Sequence, residues 1–169
     1  MQDRHVISVL VENKPGVLAR VSGMFSGRGF NIHSLAVAPT TDPQYSRMTV
    51  VTAGNEQIIE QIIKQLRKLI NVVKVQDLTS GDYVDREMVL VRVKASAVER
   101  PQVLSTADIF RAKVVDVAND SITVEVTGTQ NKIDAILRLL APIGIMELIR
   151  TGTVAIPRGK KDLKHKGAS

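Results

Sequence analysis

Apolar residues along this chain switch repeatedly between two spacings. His5–Val11 (HVISVLV) is a β-branched run of strand character. Val17, Leu18, Val21, Met24 and Phe25 then fall on one stripe at the 3.6-residue period, which predicts a helix. Pro15 is placed in its first turn, where a missing N–H costs nothing, and Gly27 or Gly29 is placed at its end. Phe30–Ala38 reads as a strand, Pro39–Pro43 as a loop and Met48–Ala53 as a third strand. Ile59, Ile62, Ile63, Leu66 and Ile70 mark a second amphipathic helix, and Asn71–Leu78 a fourth strand. The order is βαββαβ, the split-βαβ or ferredoxin-like pattern.

After Ser80-Gly81-Asp82 the pattern restarts. It gives a strand at Met88–Val93, a helix through Val103, Leu104, Ala107 and Phe110, strands at Val114–Val117 and Ile122–Val126, a helix through Ile133, Ile136, Leu137 and Leu140, and a strand at Ile143–Ile149. The letters repeat as well as the pattern. At an offset of 74, Gly54 lies over Gly128, Ile59 over Ile133, Ile62 over Ile136 and Leu66 over Leu140. Near the first helix the offset is 86, with NKPGVL at 13–18 over ERPQVL at 99–104. The first copy therefore carries twelve extra residues around the Pro39–Tyr45 loop. The fold class expected is α+β, two ferredoxin-like βαββαβ domains in tandem. They are read as residues 1–79 and 80–157, hinged near 79–86 and followed by a basic mobile tail at 158–169.

Composition narrows the chemistry. At ~150 residues per domain, 169 residues suit one domain or two small ones. With 44% hydrophobic residues the chain can bury a core. The absence of cysteine excludes a disulfide framework, a thiolate zinc site and a cysteine nucleophile. With neither a signal-peptide core nor a membrane-length apolar run, the expectation is a cytoplasmic protein with no membrane partner. Two tyrosines, three phenylalanines and no tryptophan make a poor stacking platform for single-stranded nucleic acid. The net charge of +6 is uneven: residues 1–80 hold nine basic and six acidic groups, 81–157 nine and ten, and 158–169 five and one. Most of the excess belongs to the tail, so the charge does not argue for a nucleic-acid partner.

No catalytic constellation emerges. His5, His33 and His165 are far apart and lack a metal-ligand spacing. The carboxylates lie scattered on expected solvent faces, and Gly27-Arg28-Gly29 follows a helix where a dinucleotide fingerprint would follow a strand. No catalytic residue, metal ligand or cofactor site is assigned to this chain. The best candidate for binding is the first strand-to-helix junction, Asn13-Lys14-Pro15-Gly16-Val17-Leu18. A helix N-terminus offers free N–H groups and a positive dipole end to a carboxylate. Gly16 permits close approach, Asn13 can hold an amine or a carboxylate, and Val17 and Leu18 supply an apolar wall. Together these describe a free amino acid. The plainer reading makes Asn13 a helix cap and Gly16 a turn residue. In the second copy, Glu99 and Gln102 replace Asn13 and Gly16. A carboxylate there would repel a bound carboxylate, so any small amino acid binds the first repeat and not the second.

Two βαββαβ units with an N-x-x-G-V-L junction resemble ACT-type amino-acid-sensing domains. The segments VLVENKPGVLARVSGMFSGRGFNIHSLAVAPT, SRMTVV, IFRAKVVDV and RTGTVAIPRG, in that order, resemble the regulatory small-subunit family of acetohydroxyacid synthase (acetolactate synthase). The resemblance implies a non-catalytic chain that activates a large subunit using thiamine diphosphate, magnesium and often a flavin (FAD). It also implies feedback inhibition by valine or another branched-chain amino acid, held at the interface of an ACT-domain homodimer. Carried onto this sequence, Asn13 and Gly16 match the effector loop, while Asn31 and Ile32 match the strand that closes the site from the other protomer. Val17, Leu18, Phe30 and Ile32 would shape an apolar pocket that fits valine, leucine or isoleucine. The large-subunit contact is expected on the second repeat, around Phe110-Arg111-Ala112 or Arg150-Thr151-Gly152. Two other readings compete: a standalone tandem sensor acting on another partner, and an enzyme with its own site.

Overall fold

The computed structural model of the chain describes residues 3–159. The tail expected at 158–169 lies, from residue 160 onward, outside the described residues.

In the first half, β1 (Asp3–Glu12), α1 (Val17–Gly27), β2 (Ser34–Pro39), β3 (Tyr45–Gly54), α2 (Glu56–Lys68) and β4 (Val72–Asp77) succeed one another. They build an antiparallel sheet of order β2-β3-β1-β4. Alternation on the central strands sends Ile7, Val9, Val11, Met48 and Val50 to one face. There they meet Val17, Val21 and Phe25 of α1 and Ile59, Ile62 and Leu66 of α2. Each helix buries most of its sequence-marked stripe, and this packing holds the two-layer unit together; Leu18 stays exposed, and Ile70, expected in the second helix, lies beyond its end and is exposed. The Asn55 side chain caps α2 by accepting from the Ile58 N–H.

In the second half, β5 (Tyr83–Lys94), α3 (Arg100–Ile109), β6 (Lys113–Val117), β7 (Ser121–Gly128), α4 (Gln130–Leu140) and β8 (Ile145–Arg150) repeat the plan, with order β6-β7-β5-β8. Val89, Val91, Val93, Ile122, Val124 and Val126 face Val103, Ala107, Ile133, Ile136 and Leu140. Ile7 pairs with Val50 and Val91 with Val124. The strand offset between the copies is therefore 84, against 86 for the helices that follow. The junction is two residues longer in the second copy.

Four expectations need correction. Phe30–Ile32 is irregular rather than part of β2, because its apolar side chains reach the core from a loop. Pro15 stands in the turn before α1, since the helix begins only at Val17. The last strand expected is followed by a further one, β9 (Val154–Pro157), which pairs with β5. The compact units also divide differently from 1–79 and 80–157: Asp85–Gly152 forms one, and the described residues from Thr153 return to the other. The cause is local. The Arg158 N–H donates to the Asp82 carbonyl, and the Thr153 N–H to Ser34 Oγ at 2.9 Å. Ala155 packs on Val6, Val51 and Leu78, on the sheet face away from the helices.

Candidate functional site

The β1–α1 junction owes its form to Gly16, whose φ of 84° lies in the left-handed region. That turn starts α1 abruptly, and no side chain caps it. The amides of Leu18 and Ala19 consequently have no hydrogen-bond partner among the described residues. A Cβ at Gly16 would meet nothing within 4 Å, so the approach to these amides is open.

Asn13 is not the helix cap that the plainer reading made it. Its Nδ2 donates to the Pro43 carbonyl at 3.0 Å, and its N–H donates to the Gln44 carbonyl at 2.8 Å. These bonds pin the β2–β3 loop against the junction and leave Oδ1 free to accept from an ammonium group. Beside it, Glu12 pairs with Lys14 at 2.7 Å and accepts from Asn71, which accepts in turn from Arg20. The Lys14 ammonium, then the Asn71 amide, hold the Glu12 carboxyl below the usual carboxylate range.

Asn13, Lys14, Val17 and Leu18 line a half-open groove of about 240 Å³, with Val37, Pro39 and Met48 as further walls. Pro15 and Gly16 form the turn between those lining residues. Phe30, Asn31 and Ile32 are not brought to it: the Asn31 carbonyl accepts from Thr52 Oγ1 at 2.7 Å, before the start of β2. The groove uses the other end of β2, about 16 Å away at ~3.3 Å per residue. Sequence reasoning missed Val37, Pro39 and Met48, because the register that brings β2 and β3 to the junction is not written in local spacing.

The second junction is closed upon itself. Gln102 has no left-handed turn, so α3 begins earlier, at Arg100. Glu99 folds back onto the Ser96 N–H and hydroxyl, and the hydroxyl above all holds its carboxyl low. The Arg100 guanidinium donates to the carbonyls of Ala95, Ala118 and Asn119. The two charged side chains at this junction, Glu99 and Arg100, are thus engaged by their own chain. Elsewhere in this unit Arg150 is held by the buried Glu87 at 2.7 Å and lies 3.5 Å from Asp134. Arg111 is exposed, with a positive φ of 52°. Among the described residues, no group of three or more His, Cys, Asp or Glu is placed to hold a metal ion, and no helix is long and apolar enough to cross a membrane.

Comparison with known proteins matches each half of the chain in turn. Residues 7–74 match the family model for an AHAS small subunit-like ACT domain, and residues 86–159 that for the small subunit of acetolactate synthase. The chain is 50% identical over 159 residues to the acetolactate synthase small subunit of Mycolicibacterium smegmatis, covering 94% of each chain. It is 46% identical over 162 residues to the isozyme 3 small subunit of Salmonella typhimurium, covering 95% of this chain and 99% of that one. The crystal structure of the Thermotoga maritima acetolactate synthase small subunit superposes with a TM-score of 0.85 at 38% identity, over 94% of this chain and 99% of the other. With two family models spanning both halves and relatives near 50% identity along almost the whole length, this chain belongs to the acetolactate synthase small-subunit family.

Proposed function

We propose that this chain regulates a catalytic acetolactate synthase large subunit, raising its activity and making it sensitive to a branched-chain amino acid. The large subunit supplies the thiamine diphosphate, magnesium and flavin chemistry. The effector, with valine the first choice, lies in the Asn13–Leu18 groove. Its carboxylate takes the Leu18 and Ala19 amides, its ammonium takes Asn13 Oδ1, and its side chain rests on Val17, Leu18 and Val37.

The observation that carries this reading is the contrast between two copies of one fold. The first junction presents unpartnered amides and a free Asn13 Oδ1, whereas at the second a carboxylate and a guanidinium, Glu99 and Arg100, fold back onto their own chain. The reading includes a homodimer, which the place of β2 at a sheet edge supports. If two β2 strands pair antiparallel about a two-fold axis, Asn31 and Ile32 of one protomer come beside Val37–Pro39 of its partner. That pairing unites the two groups of candidate residues that one chain keeps apart, and it closes a groove that is half open alone. On the second unit, Arg111 is the preferred contact for the large subunit, since Arg150 is already engaged.

Titration calorimetry of the full chain with L-valine tests the reading. Binding is expected for the wild type and is severely weakened in Gly16→Asp, whose carboxylate stands beside that of the ligand. Unchanged affinity in a folded Gly16→Asp variant sinks the assignment. Added back to a large subunit, the chain should raise acetolactate formation and render it valine-sensitive.

A further inference from the structure

A second cleft opens on the sheet face opposite the helices. It holds about 500 Å³ and is lined by Ala36, Ala38, Thr41, Arg47, Thr49 and Val154, among others. This volume falls within the range of small-molecule sites. Cross-strand pairing sets Ala36 against Thr49 and Ala38 against Arg47, so two alanines leave room above a hydroxyl and a guanidinium.

Arg47 is unusual in this chain. Its Nε is buried with no hydrogen-bond partner, and among the described residues no carboxylate pairs with it. Thr49 is only 4% exposed, and neither its hydroxyl nor that of Thr41 has a protein partner among the described residues. The residue as a whole is half-buried, so it is the Nε–H alone that has lost water without gaining an acceptor, and the planar fork of a guanidinium fits a carboxylate with two parallel hydrogen bonds.

The lining charges define the ligand further. The groove on the helix side has both signs, from Glu12 and Lys14, together with the Asn13 amide, which suits a zwitterion. The opposite cleft has one cation and no acid among its lining residues. An ammonium group would find no counter-charge there and would sit near Arg47 of like sign. The remaining walls, Ala36, Val37, Ala38, Val154 and Ala155, are small and apolar.

We infer that this cleft binds a small monocarboxylate with a short apolar body and no amino group, its carboxylate held by Arg47 and the Thr49 hydroxyl. The site is distinct from the effector groove in face and in charge, although Val37, Ala38 and Pro39 border both.

The test uses the full chain and three probes of similar shape: isobutyrate, its neutral isostere isobutyramide, and L-valine. The Arg47 Nε–H resonance, assigned by its loss in Arg47→Lys, is followed by proton–nitrogen correlation spectroscopy. Isobutyrate should shift it saturably at millimolar concentration, while isobutyramide and L-valine should not. Arg47→Gln should weaken isobutyrate binding roughly tenfold or more. The inference is overturned if isobutyrate gives no saturable shift, if isobutyramide acts equally, or if a folded Arg47→Gln variant binds isobutyrate like the wild type. Should Arg47→Gln fail to fold, the wild-type spectra with the two isosteres decide the matter. Because Arg47 reports directly, the outcome is independent of whether valine binds elsewhere.

Discussion

The Asn13 carboxamide donates to the Pro43 carbonyl oxygen at 3.0 Å, joining residues thirty positions apart. One side chain thereby ties the junction that holds the free amides to the loop that joins β2 and β3, the strands that supply the groove's other walls. In Asn13→Ala the Asp42–Tyr45 turn should open more often, and the Tyr45 amide, which donates to Asp42, should exchange hydrogen faster. Valine affinity should fall roughly tenfold or more, because a loop tie and an ammonium acceptor vanish together. Global stability should change little, since the bond lies at the surface. Exchange mass spectrometry and calorimetry on the same sample separate the effects.

Gly16 is held by its backbone angle and not by crowding. Gly16→Ala finds open space around the new methyl group, yet must keep a φ of 84°. The expected cost is ~1–2 kcal/mol, the penalty of a left-handed residue with a Cβ. Urea unfolding provides the measure, and an unchanged midpoint would show that the turn tolerates a right-handed conformation.

The repeated glycines Gly54 and Gly128 make an internal control. A Cβ on Gly54 would lie 2.8 Å from Ile58 Cγ2, part of a side chain packed on the first core. A Cβ on Gly128 would lie 2.5 Å from Lys132 Cδ, part of a flexible chain whose ammonium reaches the Thr127 carbonyl. Gly54→Ala should cost ~1–3 kcal/mol through overpacking. Gly128→Ala should cost less, because Lys132 can swing outward. Equal losses in thermal unfolding would contradict this difference.

Acid should weaken both junctions. Glu12 and Glu99 have folded-state values below the ordinary carboxylate range, through Lys14 and Ser96 respectively. In the unfolded chain both return to about 4.3. A lowered folded value means stability that is present above the unfolded value and lost as pH falls through the folded one. Melting temperature should therefore drop as pH falls below about 5. The drop should be shallower in the Glu12→Gln, Glu99→Gln double variant, with both proteins alike in their slope above neutrality.

Much of the architecture was legible because helix and strand periods write themselves locally. Ile59, Ile62 and Leu66 repeat as Ile133, Ile136 and Leu140, and both sets are buried. Gly16 was legible because it disappears in the second copy. What escaped depends on register or on distant pairing. Arg47 gains meaning only when Ala38 is set beside it, and Val37 only when β2 meets the junction. Four residues of β9 are too short to show a period, and Phe30 and Ile32 look strand-like because a loop can also deliver apolar side chains to a core.

The return of Thr153–Pro157 has a practical consequence. The chain crosses from one compact unit to the other at Val84–Asp85 and crosses back at Gly152–Thr153. A protease that nicks the first crossing severs one covalent link, yet β9 remains seated on Val6, Val51 and Leu78. The two fragments should then migrate together under native conditions and part only in denaturant. A truncated chain ending at residue 79 carries that apolar patch uncovered, so its insolubility would report the missing strand and nothing about the Asn13–Leu18 groove.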